Sequence, residues 1–227
     1  MKLIQNEVYV NWNKSFEKIV EKRYPNLDLV RLQKWHFGEN SSGKILEYGF
    51  GTGSNSIHLI DCGYEFYGID ICSGALNQTK KRILDNFPNL DNFHLSLLSE
   101  NDDQLPYENN SFDYIVCLSV LSLLGNEKRV KALLSEFKRI LKIGGKIIID
   151  INDHDSEFSK GYEMIEENVF ITPSSNDSMP FHSYCLKDDE SFKNLISEFF
   201  HIDDSGFSAH RLFGRRINEW IISATNI

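Results

Sequence analysis

The chain has 227 residues, a formal net charge of −9, a hydrophobic fraction of 41% and an aromatic fraction of 12%. This length and apolar content suffice for one globular domain with a sizeable buried core. The acidic balance argues against a nucleic-acid substrate, because a polyanion requires a concentrated basic surface. The one basic cluster, Arg211, Arg215 and Arg216, suits a single phosphate or carboxylate at most, so a small-molecule substrate is favoured.

The sequence gives no indication of export, membrane insertion or metal binding. No apolar run is long enough to span a bilayer, and the amino-terminal segment MKLIQNEVYVNWNK lacks the apolar core of a signal peptide. We therefore expect a cytoplasmic protein without membrane insertion. The cysteines show no C-x-x-C spacing, which favours free thiols. The run Asn152-Asp153-His154-Asp155 either ligates a metal or forms a polar loop, and we predict no metal.

Two helices are predicted before the first strand. Apolar residues between Tyr9 and Tyr24 recur at the spacing of an amphipathic helix, and Pro25 ends that helix. A second helix is predicted to start at Asn26. Both precede the part of the chain that carries the strongest motif.

That motif runs from Lys44 to Asp70. A short apolar strand, Lys44–Tyr48, leads into Gly49-Phe50-Gly51-Thr52-Gly53, and a helix begins near Ser54. A second strand then ends on Asp70. Glycines let the backbone turn sharply and let a ligand lie against it. The acid that follows the second strand is suited to accept hydrogen bonds from ribose hydroxyls. This order of elements therefore predicts a site for a nucleoside-bearing cofactor.

The glycine spacing distinguishes between cofactors. Dinucleotide-binding folds carry G-x-G-x-x-G, whose third glycine would fall at Ser54. This chain instead has G-x-G-x-G preceded by Glu47, which resembles the first motif of the class I S-adenosylmethionine-dependent methyltransferases. Tyr67-Gly68-Ile69-Asp70 resembles their second motif. The alternative is a tight strand–helix turn in an enzyme that binds another ligand.

The resemblance implies S-adenosylmethionine as cofactor and S-adenosylhomocysteine as product. The cofactor-contacting residues that it implies along the two motifs are Glu47, Gly49, Gly51, Gly53, Asn55, Asp70 and Ile71. The segment from Tyr24 to Arg31 also resembles part of bacterial methyltransferases of surface-polysaccharide pathways, where it packs by the methionine end of the cofactor. By that resemblance Tyr24 contacts the cofactor. Arg31 either binds the cofactor carboxylate bidentately or is a solvated helix residue.

Later segments continue the alternation of strands and helices. A third strand is predicted at Phe93–Leu98, and the following loop is where the family places an acid that touches the adenine amino group. Two acids and an amide compete there, and we assign Asp102. Asn109–Cys117 resembles the N-S-F-D strand of the family and brings Leu118 to the edge of the cofactor. A fifth strand is predicted at Ile147–Asp150, after a helix and a glycine turn.

The segment Asp153–Tyr184 interrupts this alternation. It follows a strand that ends beside the cofactor, so we predict that it is a substrate lid. A histidine of near-neutral pKa is the usual base for removing a proton from a hydroxyl or ammonium acceptor. We assign His182 as the first catalytic candidate and expect an apolar wall beside it to tune its pKa. Tyr184 and His154 are the next candidates.

The predicted fold is a doubly wound, Rossmann-like α/β fold with a seven-stranded, mostly parallel sheet and helices on both faces. The resemblance supplies two closing strands, His201–Asp204 and Trp220–Ala224, of which the last is antiparallel. We treat residues 1–227 as a single domain of four consecutive parts, which are an N-terminal helical lid (1–43), a cofactor-binding core (44–152), the substrate lid (153–184) and a C-terminal helix with closing strands (185–227).

The predicted function is transfer of a methyl group from S-adenosylmethionine to an O or N atom of a small molecule. The resemblance favours a sugar or sugar nucleotide of a bacterial surface glycan. A protein or RNA methyltransferase is one alternative, disfavoured by the acidic charge and by the lack of an Asn-Pro-Pro-Tyr motif. A non-catalytic cofactor-binding protein is the other, favoured only because Ser122-Leu123-Leu124 stands where many members carry a histidine. We expect a monomer or a homodimer.

Overall fold

A computed structural model describes residues 2–15, 24–38, 42–99, 101–173, 179–212 and 215–227. Its helices are α1 (Asn6–Ser15), α2 (Leu27–Leu32), α3 (Ser54–Asp61), α4 (Ser73–Asn86), α5 (Glu127–Ile140) and α6 (Asp189–Ser197). A π-helical turn follows α2 at Gln33–Phe37, and a 3-10 helix covers Leu121–Leu124. The strands are β1 (Lys44–Tyr48), β2 (Glu65–Asp70), β3 (Phe93–Leu97), β4 (Phe112–Cys117), β5 (Leu141–Asn152), β6 (Met164–Glu166), β7 (Val169–Thr172), β8 (Phe181–Tyr184), β9 (His201–Leu212) and β10 (Arg215–Thr225).

Seven of these strands form one sheet in the order β3-β2-β1-β4-β5-β10-β9. Strands β1 to β5 are parallel to one another, whereas β10 pairs antiparallel with both β5 and β9. The central strands have nearly continuous apolar sequences because both faces of the sheet are covered. The predicted seven-stranded, mostly parallel sheet is confirmed.

Helices cover both faces of this sheet, as predicted. The buried side chains that α2, α3 and α4 place against one face are Leu29, Leu59, Ile60 and Ile83. Those that α5 and α6 place against the other face are Val130, Leu133, Leu134, Phe137, Phe192, Leu195 and Ile196. Burial of one such side chain stabilises the fold by roughly 1.5–3 kcal/mol.

Helix α5 shows how local sequence sets these elements. The side chain of Asn126 accepts a hydrogen bond from the backbone N–H of Arg129 at 2.9 Å and caps the helix. Apolar residues then recur at intervals of three and four, so that one side of the helix is buried, with Phe137 packed edge-on against Tyr48. Leu141 is extended and begins β5, so the helix ends there.

The segment after β5 contains more regular structure than the sequence analysis predicted. Strands β6, β7 and β8 form a separate three-stranded antiparallel sheet. Residues 174–178, which include most of the polar stretch between β7 and β8, lie outside the described residues. Over its described residues, the segment 153–184 therefore contains a small antiparallel sheet, which follows a series of turns.

The ends of several elements differ from the prediction. Helix α1 begins at Asn6 rather than Tyr9, and residues 16–23 of the predicted helix lie outside the described ranges. The closing strands β9 and β10 are longer than predicted, because they continue together as an antiparallel hairpin beyond the end of β5. None of the helices in the described ranges combines the length and apolar composition needed to cross a membrane.

Candidate functional site

The carboxyl ends of four parallel strands meet at one level. The strand registers align Tyr48, Ile69, Cys117 and Ile149. The next residue along each of these strands defines what we call the carboxyl edge, which consists of Gly49, Asp70, Leu118 and Asp150. Ligands of open α/β sheets bind outside such an edge. The sequence analysis identified the first three of these residues as cofactor contacts but gave Asp150 no role.

The glycines of the turn after β1 serve two different purposes. Gly49 and Gly53 have φ angles of +81° and +76°. A Cβ atom would lie 2.5 Å from Val120 Cγ2 at Gly49, and 2.7 Å from Thr79 Oγ1 at Gly53, so packing within the protein excludes a side chain at both. At Gly51 no heavy atom of the described residues lies within 4 Å of the Cβ position. Only this part of the turn leaves open space for a ligand.

Asp70 is held at the carboxyl edge by backbone donors. The N–H of Gly51 donates to Oδ2 at 2.8 Å, and the N–H of Cys72 donates to Oδ1 at 3.0 Å. Burial raises the pKa of Asp70, and these backbone N–H groups partly oppose the effect. An ionised carboxylate has about four acceptor positions. Positions therefore remain for further donors such as a pair of hydroxyl groups.

Glu47 lies beneath the turn and is only 2% exposed. Its Oε2 accepts a hydrogen bond from Ser56 Oγ at 2.5 Å. Burial raises the pKa of Glu47 from 4.5 to about 8, although hydrogen bonds from Ser56 and Asn55 oppose this shift. Asn55 Oδ1 also accepts from the backbone N–H of Asn26, the residue that caps α2, at 2.8 Å. Asn55 thereby connects the glycine turn with the N-terminal helices.

Helix α1 contacts the loop that follows Asp70. Asn13 Nδ2 donates to the carbonyl of Ile71 at 3.4 Å, and Asn13 Oδ1 accepts from the N–H of Ser73 at 3.4 Å. Asn11 Nδ2 donates to the carbonyl of Met179 at 2.7 Å. The helix therefore connects the β2–α4 loop with the 153–184 segment. Sequence analysis missed both asparagines, because an amide on a predicted helix does not indicate its partner.

The remaining predicted cofactor residues differ in burial. Leu118, at the carboxyl edge, is 9% exposed and packs with the apolar cluster that includes Leu29 of α2. Asp102 lies in the turn after β3, and its Oδ2 accepts from the N–H of Ser99 at 2.7 Å. Tyr24 is 74% exposed, and Arg31 is exposed on α2. Contacts of Asp102, Tyr24 and Arg31 with a cofactor stay predictions.

Two catalytic candidates make contacts within the protein. Nε2 of His154 lies 2.8 Å from Asn168 Oδ1 and 2.9 Å from the carbonyl of Cys185. Because both neighbouring atoms are acceptors, Nε2 is the donor. Its hydrogen bonds connect His154 with the residue before β7 and the residue after β8. Tyr184 is 3% exposed, and its hydroxyl donates to Glu127 Oε2 at 3.4 Å. Burial and then Glu127 raise the pKa of Tyr184. The tyrosine therefore faces the start of α5.

His182 is exposed on β8. The expected burial of its ring against an apolar wall is not found, because the ring is exposed and Phe181 points to the opposite face of the strand. Its backbone carbonyl accepts from Gln5 Nε2 at 2.7 Å, and the same nitrogen donates to the carbonyl of Leu123 at 2.5 Å. Gln5 thereby holds His182 beside the 3-10 helix that follows β4.

Two further features bear on the location of the site. Within the described ranges, no three His, Cys, Asp or Glu side chains form a group that fits a metal ion. A cavity of about 200 Å³, lined by Asp113 and Lys142 among others, lies at the opposite end of the sheet. Asp113 there accepts from the backbone N–H of Lys44, the first residue of β1. Ligands of parallel sheets bind at the other end, so this cavity is not the cofactor site.

Residues 46–149 match the family described as methyltransferase domain. The chain is 28% identical over 188 residues to O-methyltransferase 3 of Dictyostelium discoideum, with 78% of this chain and 43% of that protein covered. Across the first curated relatives that it matches, the chain spans about half of their length. Residues 46–149, which match the family, contain the glycine turn, Asp70 and Leu118.

Solved structures show the same fold. A SAM-dependent methyltransferase from Methanosarcina mazei superposes with a TM-score of 0.71 at 20% identity, covering 90% of this chain and 99% of that chain. Magnesium protoporphyrin IX methyltransferase from Synechocystis PCC 6803, with bound S-adenosylhomocysteine, superposes with a TM-score of 0.63 at 15% identity, covering 97% and 86%. At these identities the likeness establishes the fold.

Proposed function

We propose that this protein transfers a methyl group from S-adenosylmethionine to a small molecule. The observation that carries the proposal is the arrangement at the glycine turn, where Gly51 donates to a buried carboxylate of Asp70 and leaves open space beside it. That arrangement suits a nucleoside, because ribose hydroxyls donate to a carboxylate that has free acceptor positions. The residues present therefore fit the cofactor.

Residues from both motifs would hold the cofactor. Asp70 would accept from the ribose hydroxyls, and the open side of Gly51 would let the ligand approach the backbone. Glu47 and Asn55 would support the turn from below through their hydrogen bonds to Ser56 and Asn26. When bound, the cofactor supplies a methyl group that its sulfonium activates toward a nucleophile. The protein must then orient that nucleophile, and orientation contributes several kcal/mol.

We also propose that the segments 1–43 and 153–184 close over the bound ligands. Helix α1 supports this role, because Asn13 contacts the loop after Asp70 while Asn11 contacts Met179. A helix that contacts both the loop after Asp70 and the segment 153–184 would restrict the release of ligands that are bound between them. Arg31 and Tyr24 stand in the same N-terminal segment and stay predicted cofactor contacts.

On the acceptor side, His182 is the catalytic candidate whose side chain is exposed and can contact a ligand. Its exposed ring contrasts with the hydrogen-bonded Nε2 of His154 and with the buried Tyr184. We propose that His182 contacts the acceptor rather than the cofactor. The expectation of a sugar or sugar-nucleotide acceptor rests on sequence resemblance, and a substrate panel that contains sugar nucleotides tests it.

Two measurements test the function. Calorimetry is expected to detect binding of S-adenosylhomocysteine and no comparable binding of NAD, and equal affinity for the two would contradict the proposal. Incubation with methyl-labelled S-adenosylmethionine and fractionated cell extract is then expected to label the small-molecule fraction. Label in protein or RNA would indicate another acceptor class. Binding of the cofactor without any transfer would indicate a non-catalytic protein.

A further inference from the structure

A buried acid occupies the carboxyl edge beside the cofactor-binding strands. Asp150 is 1% exposed and follows Ile149, which pairs with Cys117 of β4. Adjacent strands lie about 4.8 Å apart, so Asp150 is next to Leu118 at this edge. Its side chain lies on the sheet face that carries Ile148 and α2, because side chains alternate along a strand. A buried carboxylate requires partners that replace water.

Within the described part of the chain, Asp150 has such a partner on one of its two oxygens. The N–H of Ser119 donates to Oδ1 at 2.6 Å. Ser119 has a φ angle of +60°, which is unfavourable for a residue other than glycine, so the surrounding structure holds the loop after Leu118 in this orientation. Oδ2 of Asp150 is buried and has no hydrogen-bond partner among the described residues. One carboxylate oxygen thus lacks a donor beside the cofactor site.

The surroundings of Asp150 favour a positive charge. After burial, the neighbouring acids Glu219 and Asp28 are the groups that raise the pKa of Asp150. Glu219 lies on the same face of β10, and its Oε1 accepts from Ser119 Oγ at 3.4 Å. Asp28 lies on α2 and contacts Ser208 and His210. The side chain of Asp28 is 21% exposed and that of His210 is 50% exposed, so these two residues form the solvent-accessible border of the cluster.

We propose that Asp150 binds the positively charged nitrogen of the methyl acceptor, so that the acceptor class is an amine. This inference rests on the proposed methyltransferase function and names the substrate class of that site. A cation satisfies Oδ2 and balances the field of the neighbouring acids, whereas a neutral hydroxyl leaves that field unchanged.

The same geometry accounts for the proton that an ammonium must lose. Asp150 takes one proton from the bound ammonium, which frees the lone pair of the nitrogen. That lone pair forms the bond to the methyl carbon while the carbon–sulfur bond breaks and its electron pair stays on sulfur. The products would be the N-methylated ammonium ion, which carries the positive charge that the sulfonium loses, and the neutral thioether, while the first proton stays on Asp150 until it passes to solvent. An acid whose pKa is raised by burial is well matched to this role.

A thermal-shift experiment tests the proposal in the presence of saturating S-adenosylhomocysteine. The probes are alkylammonium chlorides from methyl to hexyl, the corresponding alcohols, and sodium chloride for ionic strength. At least one ammonium ion is expected to raise the melting temperature by about 2–4 °C at concentrations well above its dissociation constant. The matching alcohol is expected to have no effect. The response should increase with pH, because the cation binds the ionised form of Asp150.

Two variants make the test specific. Asp150→Asn keeps the shape of the side chain and is expected to abolish the ammonium response. Glu136→Gln changes another buried acid, which pairs with Arg139 at 2.7 Å on α5 at the opposite sheet face, and is expected to keep the response. A response that persists in Asp150→Asn, an equal response to alcohols, or no response to any ammonium ion would overturn the proposal.

Calorimetry on the same preparations separates this inference from the function on which it rests. Binding of S-adenosylhomocysteine without an ammonium response refutes the amine site alone and leaves the methyltransferase proposal standing. Absence of S-adenosylhomocysteine binding in the wild-type protein refutes both. Retained binding in Asp150→Asn shows that the variant is folded, so that a lost ammonium response reports on the site.

Discussion

The two sides of the carboxyl edge are built in different ways. On the cofactor side, the glycine turn and Asp70 come from one continuous stretch of sequence, and backbone N–H groups supply the main hydrogen bonds. On the acceptor side, side chains from β4, β5, β10 and α2 meet through tertiary contacts, and the Ser119–Glu219 hydrogen bond joins residues 100 positions apart. Local backbone geometry thus determines the proposed cofactor site, whereas strand register determines which side chains meet in the proposed acceptor site.

The largest effect is expected from Glu47, the buried acid beneath the glycine turn on the cofactor side, and it concerns the free energy of unfolding. Between pH 4.5 and about 8 the unfolded chain has lost the Glu47 proton while the folded protein keeps it. The folded state therefore binds more protons, and its free energy of unfolding falls as the pH rises through this window. At about 1.4 kcal/mol per pH unit, the free energy of unfolding falls by about 5 kcal/mol between pH 4.5 and pH 8 because of Glu47.

Glu47→Gln tests this contribution. Urea unfolding at pH 4.5 is expected to give similar stabilities for the variant and the wild-type protein, because both side chains are then largely uncharged. At pH 8 the variant is expected to be more stable, and its pH dependence should be flatter. An unchanged pH dependence would mean that Glu47 is ionised in the folded protein.

Asp70→Ala is expected to weaken S-adenosylhomocysteine binding by about 2–4 kcal/mol, because two hydrogen bonds to a charged acceptor are lost. Calorimetry measures the change. Asp113→Ala is the matched control, since Asp113 lies at the opposite end of the same sheet and binds Lys44 and Lys142. Equal effects of the two substitutions would remove Asp70 from the proposed cofactor site.

His182→Ala is expected to lower kcat/KM for the acceptor about tenfold while the affinity for S-adenosylhomocysteine changes by less than about 0.5 kcal/mol. The reason is that His182 stands on the separate sheet of β6, β7 and β8, outside the motif that contains Asp70. Initial-rate kinetics with varied acceptor measure the effect. Normal kinetics would place His182 outside the acceptor site.

The smallest effect is expected from Asn13→Ala, which removes the contact between α1 and the loop after Asp70. The two hydrogen bonds from Asn13 to this loop are long, at 3.4 Å each, so a loss of about 1 kcal/mol in S-adenosylhomocysteine affinity is expected. Asn86→Ala is the control, because Asn86 bonds only to the carbonyl of Arg82 in its own helix among the described contacts. No difference between the two variants would argue against a lid role for α1.

The sequence constrains the surroundings of the catalytic candidates less than those of the cofactor candidates. The expectation for His182 depended on its neighbours in sequence, but neighbours along a strand face opposite ways. His154 and Tyr184 were assigned by residue type, and the structure gives each a partner within the protein in Asn168 and Glu127. Hydrogen-bond partners of this kind come from distant segments and leave no local pattern.

The sequence by itself determined the parallel core and the position of its glycine turn, because apolar strands, glycine backbone angles and helix caps are local properties. It also determined that Asp70 ends the second strand. Only the tertiary structure decided that Asp150 stands level with Leu118 and that Glu219 and Asp28 surround it. The physical reason is that strand register and helix packing depend on the whole core, and a shift of one residue would turn Asp150 to the other face of the sheet.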